Sequence, residues 1–323
     1  MGRPSAVRAA AGGLRRAPAG AAVTGQSPDP REASVRNLTP TSITQAFADY
    51  ARNAPSERAR TLLVSLAGHL HSFVRDNKVT QAEWGVAIDA LTRATGFTDD
   101  KRNEYILFSD LLGVSSLVDM VNAAGNGTPS SVLGPFHIEG APTLPNGGDL
   151  WHGQVGEPLV VSGRVLDGQG APAKGTVLAI WQNAGNGLYA QQDAAQSPTN
   201  YHARLAVAED GTFAFTTVRP VSYKVPDDGP AGDMLRVLGR DAWRPAHLHM
   251  IIQAPGHAPL ITEFFPEDDA HLDGDAVFGV RAGLVLPFAK VTDRAALPAS
   301  LAARDTLPLP VWATRLDLTL PAG

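Results

Sequence analysis

Two histidines, His247 and His249, stand two residues apart at the start of the segment 247–253. Because side chains two apart on a β-strand point to the same face, this spacing would bring two imidazoles together. The alternative is a pair of polar residues on a solvated strand face. The apolar residues 250–252 after the pair favour a strand that enters a core. Buried imidazoles need polar partners, and a metal ion is one such partner, so the segment predicts a metal site.

The residues alone leave the other ligands of this site open. Candidate donors downstream of the histidine pair are Glu263, Asp268, Asp269, His257 and His271. Two histidines and one carboxylate are a common set for non-haem iron, so this set is the default prediction. A tyrosine, with a pKa of about 10, binds metals poorly unless an acidic ion such as iron(III) deprotonates it. The absence of cysteine excludes thiolate sites, disulfides and thiol nucleophiles.

Length and charge restrict the class of protein. The chain has 323 residues and a formal net charge of −5, which argues against nucleic acid as a partner. It has no apolar run long enough to span a membrane, and we expect a cytoplasmic protein. Residues 1–28 contain arginine but no acid, as in transit peptides, but glycine and proline interrupt any helix there. We therefore predict a disordered tail over residues 1–38.

From Ser42 to about residue 124, the apolar residues have the spacing that is typical of helices. Ser42 with Gln45, and Thr80 with Glu83, have the spacing of capping boxes, which predict two helix starts. One apolar stripe consists of Leu62, Leu63, Leu66, Leu70 and Phe73, and a long apolar helix is predicted from residue 105 through 117. With so much apolar surface, some of it is expected to pack against a second subunit.

From residue 125 onward, the frequent turn residues and short alternating segments are typical of an all-β domain. Glycine and proline become frequent, and the segments 158–165, 176–181, 212–217, 247–253 and 260–265 are predicted strands. Turn signals lie at Asp167-Gly168 and Asp210-Gly211. This pattern predicts a β-sandwich or barrel, and no phosphate-binding loop or serine-hydrolase motif is present.

Four segments resemble the intradiol ring-cleavage dioxygenases: GPFHIEGAP (134–142), WQNAGNGLYAQQD (181–193), VRPVSYKVPDDGP (218–230) and GRDAWRPAHLHMIIQAPGH (239–257). Within them the patterns G-x-Y, P-x-x-Y-x-x-P-x-D-G-P and R-P-A-H-x-H follow in the family's order. The resemblance covers about residues 40–290 and is strongest to the hydroxyquinol 1,2-dioxygenases. It implies an α+β protein, with a helical dimerisation domain (39–128) followed by a mostly antiparallel β-sandwich catalytic domain (129–323).

The resemblance also implies a site. It implies iron(III), Fe(3+), bound by Tyr189, Tyr223, His247 and His249, with Tyr223 leaving the metal when substrate binds and taking a proton. Arg244 matches the active-site arginine of the family. The implied substrate pocket consists of Leu107, Asp110, Val132, Leu133, Gly134, Pro135, Phe136, Val225, Pro226, Arg244, Glu263 and Val277.

One residue departs from the family pattern. Where catechol enzymes have glutamine and hydroxyquinol-like enzymes often histidine, this chain has Glu263. Its carboxyl group could repel an anionic substrate, be protonated, or accept a hydrogen bond from an extra ring hydroxyl. The resemblance therefore leaves the role of this residue open.

The implied reaction is cleavage of an aromatic diol or triol by O2 between its two hydroxyl groups. The favoured substrate is hydroxyquinol (1,2,4-benzenetriol), giving 3-hydroxy-cis,cis-muconate and then maleylacetate; catechol and chlorocatechol are the alternatives. A more remote alternative is a β-sandwich binding module without enzymatic activity. The family resemblance further implies a homodimer through the helical domain, with a phospholipid as a candidate ligand, and neither a nucleic-acid partner nor a membrane span.

Overall fold

This computed structural model describes residues 35–99, 102–123, 125 and 127–321. Most of the predicted disordered tail, residues 1–34, lies outside the described residues, and Val35–Asn37 form a 3-10 helix. The chain divides into two compact units between Ala90 and Leu91. The domain boundary implied by the family resemblance, after residue 128, lies further along the chain than this division.

The α-helices of the described residues are Ile43–Tyr50 (α1), Glu57–Asn77 (α2), Gln81–Gly96 (α3), Glu104–Leu111 (α4), Val114–Asn122 (α5), Pro230–Leu238 (α6) and Ala299–Ala302 (α7). The strands are Thr143–Leu144 (β1), Gly148–Asp149 (β2), Pro158–Leu166 (β3), Val177–Trp181 (β4), His202–Ala206 (β5), Thr212–Val218 (β6), Tyr223–Lys224 (β7), Trp243–Arg244 (β8), Leu248–Gln253 (β9), Leu260–Pro266 (β10), Val285–Leu286 (β11), Ala289–Val291 (β12) and Val311–Thr319 (β13).

The two predicted capping boxes have different outcomes. At the start of α3, Thr80 N donates to Glu83 Oε2 (2.8 Å) and Glu83 N donates to Thr80 Oγ1 (3.3 Å), so this capping box is confirmed. At the start of α1, Ser42 makes no side-chain cap, and the predicted capping box is wrong. Its hydroxyl instead accepts from Thr39 N (2.9 Å), in a turn that precedes the helix.

The apolar stripe of α2 is exposed. Its members Leu62, Leu63, Leu66, Leu70 and Phe73 each retain more than half of their accessible surface, and α2 has no buried residue. Large exposed apolar faces are typical of association surfaces.

The predicted long helix over residues 105–117 is wrong in one respect, because it is two helices. Gly113 has φ 72°, a left-handed conformation that ends α4 and allows α5 to start in a new direction. These helices belong to the larger unit, because Glu104 accepts from Ala231 N at the start of α6 (2.9 Å) and Ser116 donates to Phe278 O (2.7 Å). Such links explain why the division precedes α4.

Two main sheets form the β-rich unit. One has the strand order β1-β5-β4-β9-β10-β11, the other β12-β13-β3-β6-β2, and β7 pairs with β8 in a short ribbon. Most strand pairs are antiparallel, while β1–β5, β10–β11, β13–β3 and β2–β6 are parallel. The main core includes Leu159 and Phe215 from the second sheet and Leu178 and Met250 from the first. The predicted α+β fold with a mostly antiparallel β-sandwich is confirmed.

The five predicted strands correspond to β3, β4, β6, β9 and β10, each within one residue of the predicted ends. The longest missed strand is β13, which pairs in parallel with β3 along eight residues, from Trp312 opposite Leu159 to Thr319 opposite Leu166. No helix of the described residues is long and apolar enough to cross a membrane.

Candidate metal centre

The predicted ligands come from three separate segments. Tyr189 lies in the loop after β4, Tyr223 begins β7, and His247 and His249 lie immediately before and within β9. The register of the sheet places His249 between Trp181 on β4 and Glu263 on β10. In the short ribbon, Tyr223 is paired with Arg244.

The four rings converge in the interior. Ring centroids are 4.6 Å apart for His247 and His249, 5.6 Å for Tyr189 and Tyr223, and 5.6 Å for Tyr223 and His247. Tyr189 and both histidines are buried, whereas Tyr223 is half-buried. The structure therefore brings together all four residues for which the family resemblance implied a shared metal.

The hydrogen bonds of His247 determine which ring nitrogen can bind a metal. Nδ1 lies 2.7 Å from Pro245 O, an acceptor, so Nδ1 carries the proton and Nε2 carries the lone pair. Nε2 lies 3.2 Å from Tyr189 Oη and 3.2 Å from Arg244 Nη1. Burial, with help from the Arg244 charge, lowers the pKa of His247 to about 4, so the imidazole is neutral.

His249 is held by aromatic and backbone contacts. The Trp181 indole stacks on its ring with centroids 4.7 Å apart and an angle of 6°. Gly134 lies directly against the same imidazole ring, because a Cβ built at this position would lie 3.2 Å from His249 Cε1. Nδ1 lies 3.3 Å from Glu263 Oε1. Burial lowers the pKa of His249 well below its ordinary value, so this imidazole is neutral too.

Both tyrosines favour the phenol over the phenolate. Burial raises the pKa of Tyr189 well above its ordinary value, and the neighbouring Tyr223 adds to this. Burial also raises the pKa of Tyr223, although the charge of Arg244 opposes it. A phenolate at either position therefore needs a strong local cation.

Arg244 is a buried cation between two carboxylates. Its Nη1 and Nη2 donate to Glu263 Oε1 (2.9 Å) and Oε2 (3.1 Å), and its Nε donates to Asp275 Oδ1 (3.0 Å). Burial alone would lower the pKa of Arg244, but the two carboxylates outweigh it and raise the pKa well above its ordinary value. The guanidinium is thus fixed in charge and orientation.

Glu263 could complete a metal-ligand set with His247 and His249, because the potential donor atoms of all three residues lie within 4.8 Å of one another. Both of its oxygens already accept from Arg244, and Oε2 also accepts from Ser131 Oγ (2.8 Å). Burial alone would raise the pKa of Glu263, but the positive charge of Arg244 outweighs it and lowers the pKa to about 2. The residue is therefore an ionised partner of Arg244, which reduces its capacity to bind a metal.

The alternative set of two phenols and two imidazoles fits a hard trivalent cation. Tyr189 Oη donates to the lone pair of His247 Nε2, which Arg244 Nη1 also approaches at 3.2 Å, so the phenol oxygen and Nε2 face each other with the phenol proton between them. A cation can replace that proton while the same two atoms keep their orientation. Phenolate and imidazole with no thiolate are a donor set that suits iron(III).

The predicted pocket residues fall mainly into two apolar clusters. Leu107, Val132, Val225 and Val277 form one with half-buried Tyr223 beside it, and Phe136 forms another with Trp181 and Tyr189, against which Leu133 packs. The Phe136 ring stacks on Tyr189 with centroids 4.2 Å apart. Pro226 is half-buried, whereas Pro135 is exposed and belongs to neither cluster.

Asp110 is the polar member of the predicted pocket. It lies on α4, one turn from Leu107, and is half-buried. Burial raises its pKa, while a hydrogen bond with Ser115 and the charge of Arg244 act in the opposite direction. Asp110 therefore supplies a carboxyl group close to the Arg244 cluster.

Sequence reasoning missed three residues that hold this site, Trp181, Ser131 and Asp275, and named a fourth, Asp269, only as a candidate metal ligand. Pairing the predicted strands 176–181 and 247–253 in register would have suggested Trp181 beside His249. The other three act from loops or segments far from the histidines in sequence, where no spacing rule applies.

Gly279 offers a direct test of the Arg244 cluster. A Cβ there would lie 2.7 Å from Arg244 Nη2 and 2.7 Å from Glu263 Oε2, so Gly279→Ala should displace the guanidinium and lower stability by about 1–3 kcal/mol. Gly274→Ala is the matched control, since a Cβ there meets nothing within 4 Å. Thermal unfolding and activity of both variants would check this, and equal behaviour would contradict the tight packing.

Two family models match the chain. A model described as "Dioxygenase" matches residues 133–305, and one described as "Catechol dioxygenase N terminus" matches residues 56–128. The first match contains the four converging rings, Arg244 and Glu263. The second lies in the helical region.

Similar proteins carry related names. The 6-chlorohydroxyquinol 1,2-dioxygenase of Cupriavidus pinatubonensis is 42% identical over 78% of this chain and 92% of its own length. Among solved structures, hydroxyquinol 1,2-dioxygenase from Pseudomonas putida has a TM-score of 0.81 and 40% identity, covering 88% of this chain and 99% of that one. Catechol 1,2-dioxygenase from Pseudomonas arvilla has a TM-score of 0.74 and 26% identity, covering 87% and 92%.

Proposed function

Because this chain belongs to the intradiol ring-cleavage dioxygenases, which are non-haem iron enzymes, we propose that its substrate is hydroxyquinol. The ring is cleaved between the two adjacent hydroxyl groups and both atoms of O2 enter the product, 3-hydroxy-cis,cis-muconate, which tautomerises to maleylacetate. Support for this substrate comes from the relatives, since those named for hydroxyquinol or its chloro derivative are about 40% identical.

We propose iron(III) as the metal, with Tyr189, Tyr223, His247 and His249 as its ligands. The observation that carries this assignment is the convergence of the four rings, with Tyr189 Oη facing His247 Nε2 at 3.2 Å. When bound, iron(III) supplies the Lewis acidity that keeps buried phenols deprotonated and polarises a diol.

Tyr223 is the proposed proton acceptor. Its ring is half-buried at the edge of the apolar cluster of Leu107 and Val225, where substrate would enter. As a phenolate, its oxygen accepts a proton from a substrate hydroxyl and becomes the phenol that burial favours. Tyr189 is fully buried and stacked on Phe136, so it is suited to remain in place.

Arg244 is the proposed electrostatic group. Its fixed positive charge stabilises negative charge that develops on the ring during oxygen attack. Glu263 and Asp275 hold the guanidinium in one orientation before substrate arrives. In this proposal Glu263 orients Arg244 and is neither a metal ligand nor the main contact of the third hydroxyl.

The third hydroxyl of hydroxyquinol is assigned to Asp110. This carboxyl group lies one helical turn from Leu107, a residue of the apolar wall, and can accept a hydrogen bond from a ring hydroxyl. The apolar walls, which include Leu107, Val132 and Val277, exclude water from the ring. An apolar wall with a carboxyl acceptor on the same helix suits a planar triol better than catechol.

We also propose a homodimer through the helical domain, in which α2 lies. Its support is the stripe of exposed leucines on α2, which covers more than one turn of a surface helix. A phospholipid in that interface stays a prediction. The molar mass in solution, with Leu66→Glu as a variant that should weaken association, would test the dimer.

Comparison of turnover on hydroxyquinol, catechol and chlorocatechol tests the substrate. We expect the purified protein to contain iron, to be wine-red from tyrosinate-to-iron charge transfer, and to prefer hydroxyquinol. A strong preference for catechol would overturn the substrate assignment. A colourless protein that stays inactive after iron loading would favour the binding module instead.

Replacing one proposed histidine ligand should remove the metal. His249→Ala is expected to lose iron and the visible colour, because only three donors would remain and the Trp181 stack would lose its partner. His257→Ala is the matched control, since His257 Nδ1 lies 3.0 Å from Pro321 O and the contacts of the described residues include none between His257 and the four rings. Metal analysis of both variants is the measurement; full iron occupancy in His249→Ala would contradict its role as a ligand.

A further inference from the structure

Asp269, in the loop after β10, links two segments of the proposed metal site. Its Oδ2 accepts from Ser222 Oγ (2.6 Å) and from the backbone N–H of Ala246 (2.8 Å). Its Oδ1 accepts from His271 N (2.8 Å), which fixes the carboxylate within its own loop. One side chain thus connects the segments of Ser222 and Ala246 to its own loop.

The two partners of Oδ2 stand directly before proposed ligands. Ser222 precedes Tyr223, and Ala246 precedes His247. A shift of either partner would be transmitted to the next Cα atom, because one rigid peptide unit joins them. This carboxylate oxygen therefore helps to set the separation of the two Cα atoms, together with the ribbon that pairs Tyr223 with Arg244.

We infer that Asp269 is a positioning residue that holds Tyr223 and His247 at the separation the metal site requires. This inference rests on the proposed function, because it assumes that both residues bind the iron. Asp269 itself touches none of the four rings in the described contacts, so it acts only through Ser222 and Ala246.

The neighbouring aspartate shows that this role is particular to Asp269. Asp268 is exposed, and both of its oxygens accept from Arg219 Nη2 (2.6 and 2.7 Å), a side chain that is not a proposed ligand. Within the described residues, Asp269 forms no ion pair, and its charge strengthens the hydrogen bonds from Ser222 and Ala246. Two adjacent, chemically identical side chains thus differ in their link to the site.

A set of four variants tests the inference. Asp269→Ala removes all three bonds, Asp269→Asn keeps one carbonyl oxygen, Ser222→Ala removes only the bond on the Tyr223 side, and Asp268→Asn is the control. Iron affinity, the position of the visible charge-transfer band, kcat, KM and thermal unfolding are measured for each. The band is the decisive readout, because it reports on the tyrosine–iron geometry and a merely structural residue would not move it.

We expect Asp269→Ala to shift the band and to lower iron affinity or kcat by about 10- to 100-fold, with a smaller change in KM. Asp269→Asn should recover part of this loss, and Ser222→Ala should shift the band with less effect on iron affinity. Asp268→Asn should match the wild type. If Asp269→Ala does not fold, Asp269→Asn and Ser222→Ala decide by the same readouts.

An Asp269→Ala protein with the wild-type band and iron affinity, and only a lower unfolding temperature, would overturn the inference and leave the proposed function intact. A wild-type protein that takes up no iron would overturn the proposed function, and the inference with it.

Discussion

Tyr223→Phe is expected to lower kcat by about 100- to 10,000-fold, the range associated with loss of a positioned acid–base group. The substitution removes the phenolic oxygen that is proposed to bind iron and to accept the substrate proton. It keeps the ring, which packs beside Tyr189 and His247, so the fold should be retained. Steady-state kinetics and thermal unfolding together measure both parts of this prediction.

Tyr201→Phe is the matched control. Tyr201 is buried in the main core and its hydroxyl group has no hydrogen-bond partner among the described residues, so its removal should leave activity unchanged and stability equal or slightly higher. Wild-type turnover by Tyr223→Phe would rule out the proposed role of the phenol. A large loss of stability in that variant would indicate that its hydroxyl is structural.

Arg244→Gln is expected to be the most disruptive single substitution, because it affects both stability and catalysis. It leaves Glu263 and Asp275 buried without their cation, and breaking a buried ion pair in this way costs about 3–5 kcal/mol. It also removes the charge proposed to stabilise the reacting ring, for which a loss of about 100- to 1,000-fold in kcat is expected. Denaturant unfolding and kinetics measure the two effects.

The double variant Arg244→Gln, Glu263→Gln separates them. It removes one of the two uncompensated carboxylates, so part of the stability should return, whereas the catalytic charge is still missing and activity should stay low. Arg315→Gln is the control, since Arg315 pairs with Asp317 and both side chains are exposed, so that pair should contribute less than about 1 kcal/mol. Recovery of activity in the double variant would show that Arg244 contributes to stability and not to catalysis.

The elements that follow from local patterns were predictable from the sequence. The histidine spacing, the five strands and the Thr80–Glu83 capping box each depend on residues a few positions apart, and each is found in the structure. The motifs containing Tyr189, Tyr223 and Arg244 led to the intradiol dioxygenases, and family membership is confirmed. The roles of those residues as ligands and catalytic groups remain predictions.

Features that depend on contacts between distant segments were not predictable. The break at Gly113 escaped the apolar pattern, because the residues on both sides continue the same spacing. The role of Glu263 stayed open until the structure placed both of its oxygens on Arg244, nineteen residues earlier in the chain. Asp275 and Ser131 complete that cluster from loops outside the four segments that contain the ligand motifs.

The sequence was sufficient to identify the family, because its motifs and their order along the chain are recognisable, and that resemblance implied a set of phenol and imidazole donors that the residue types alone left open. The charge balance of the site needed the tertiary structure. A buried guanidinium between Glu263 and Asp275, and one aspartate joining Ser222 to Ala246, arise only when the sheets and loops pack. Burial then sets which groups are charged, since removal from water penalises every ion that has no partner.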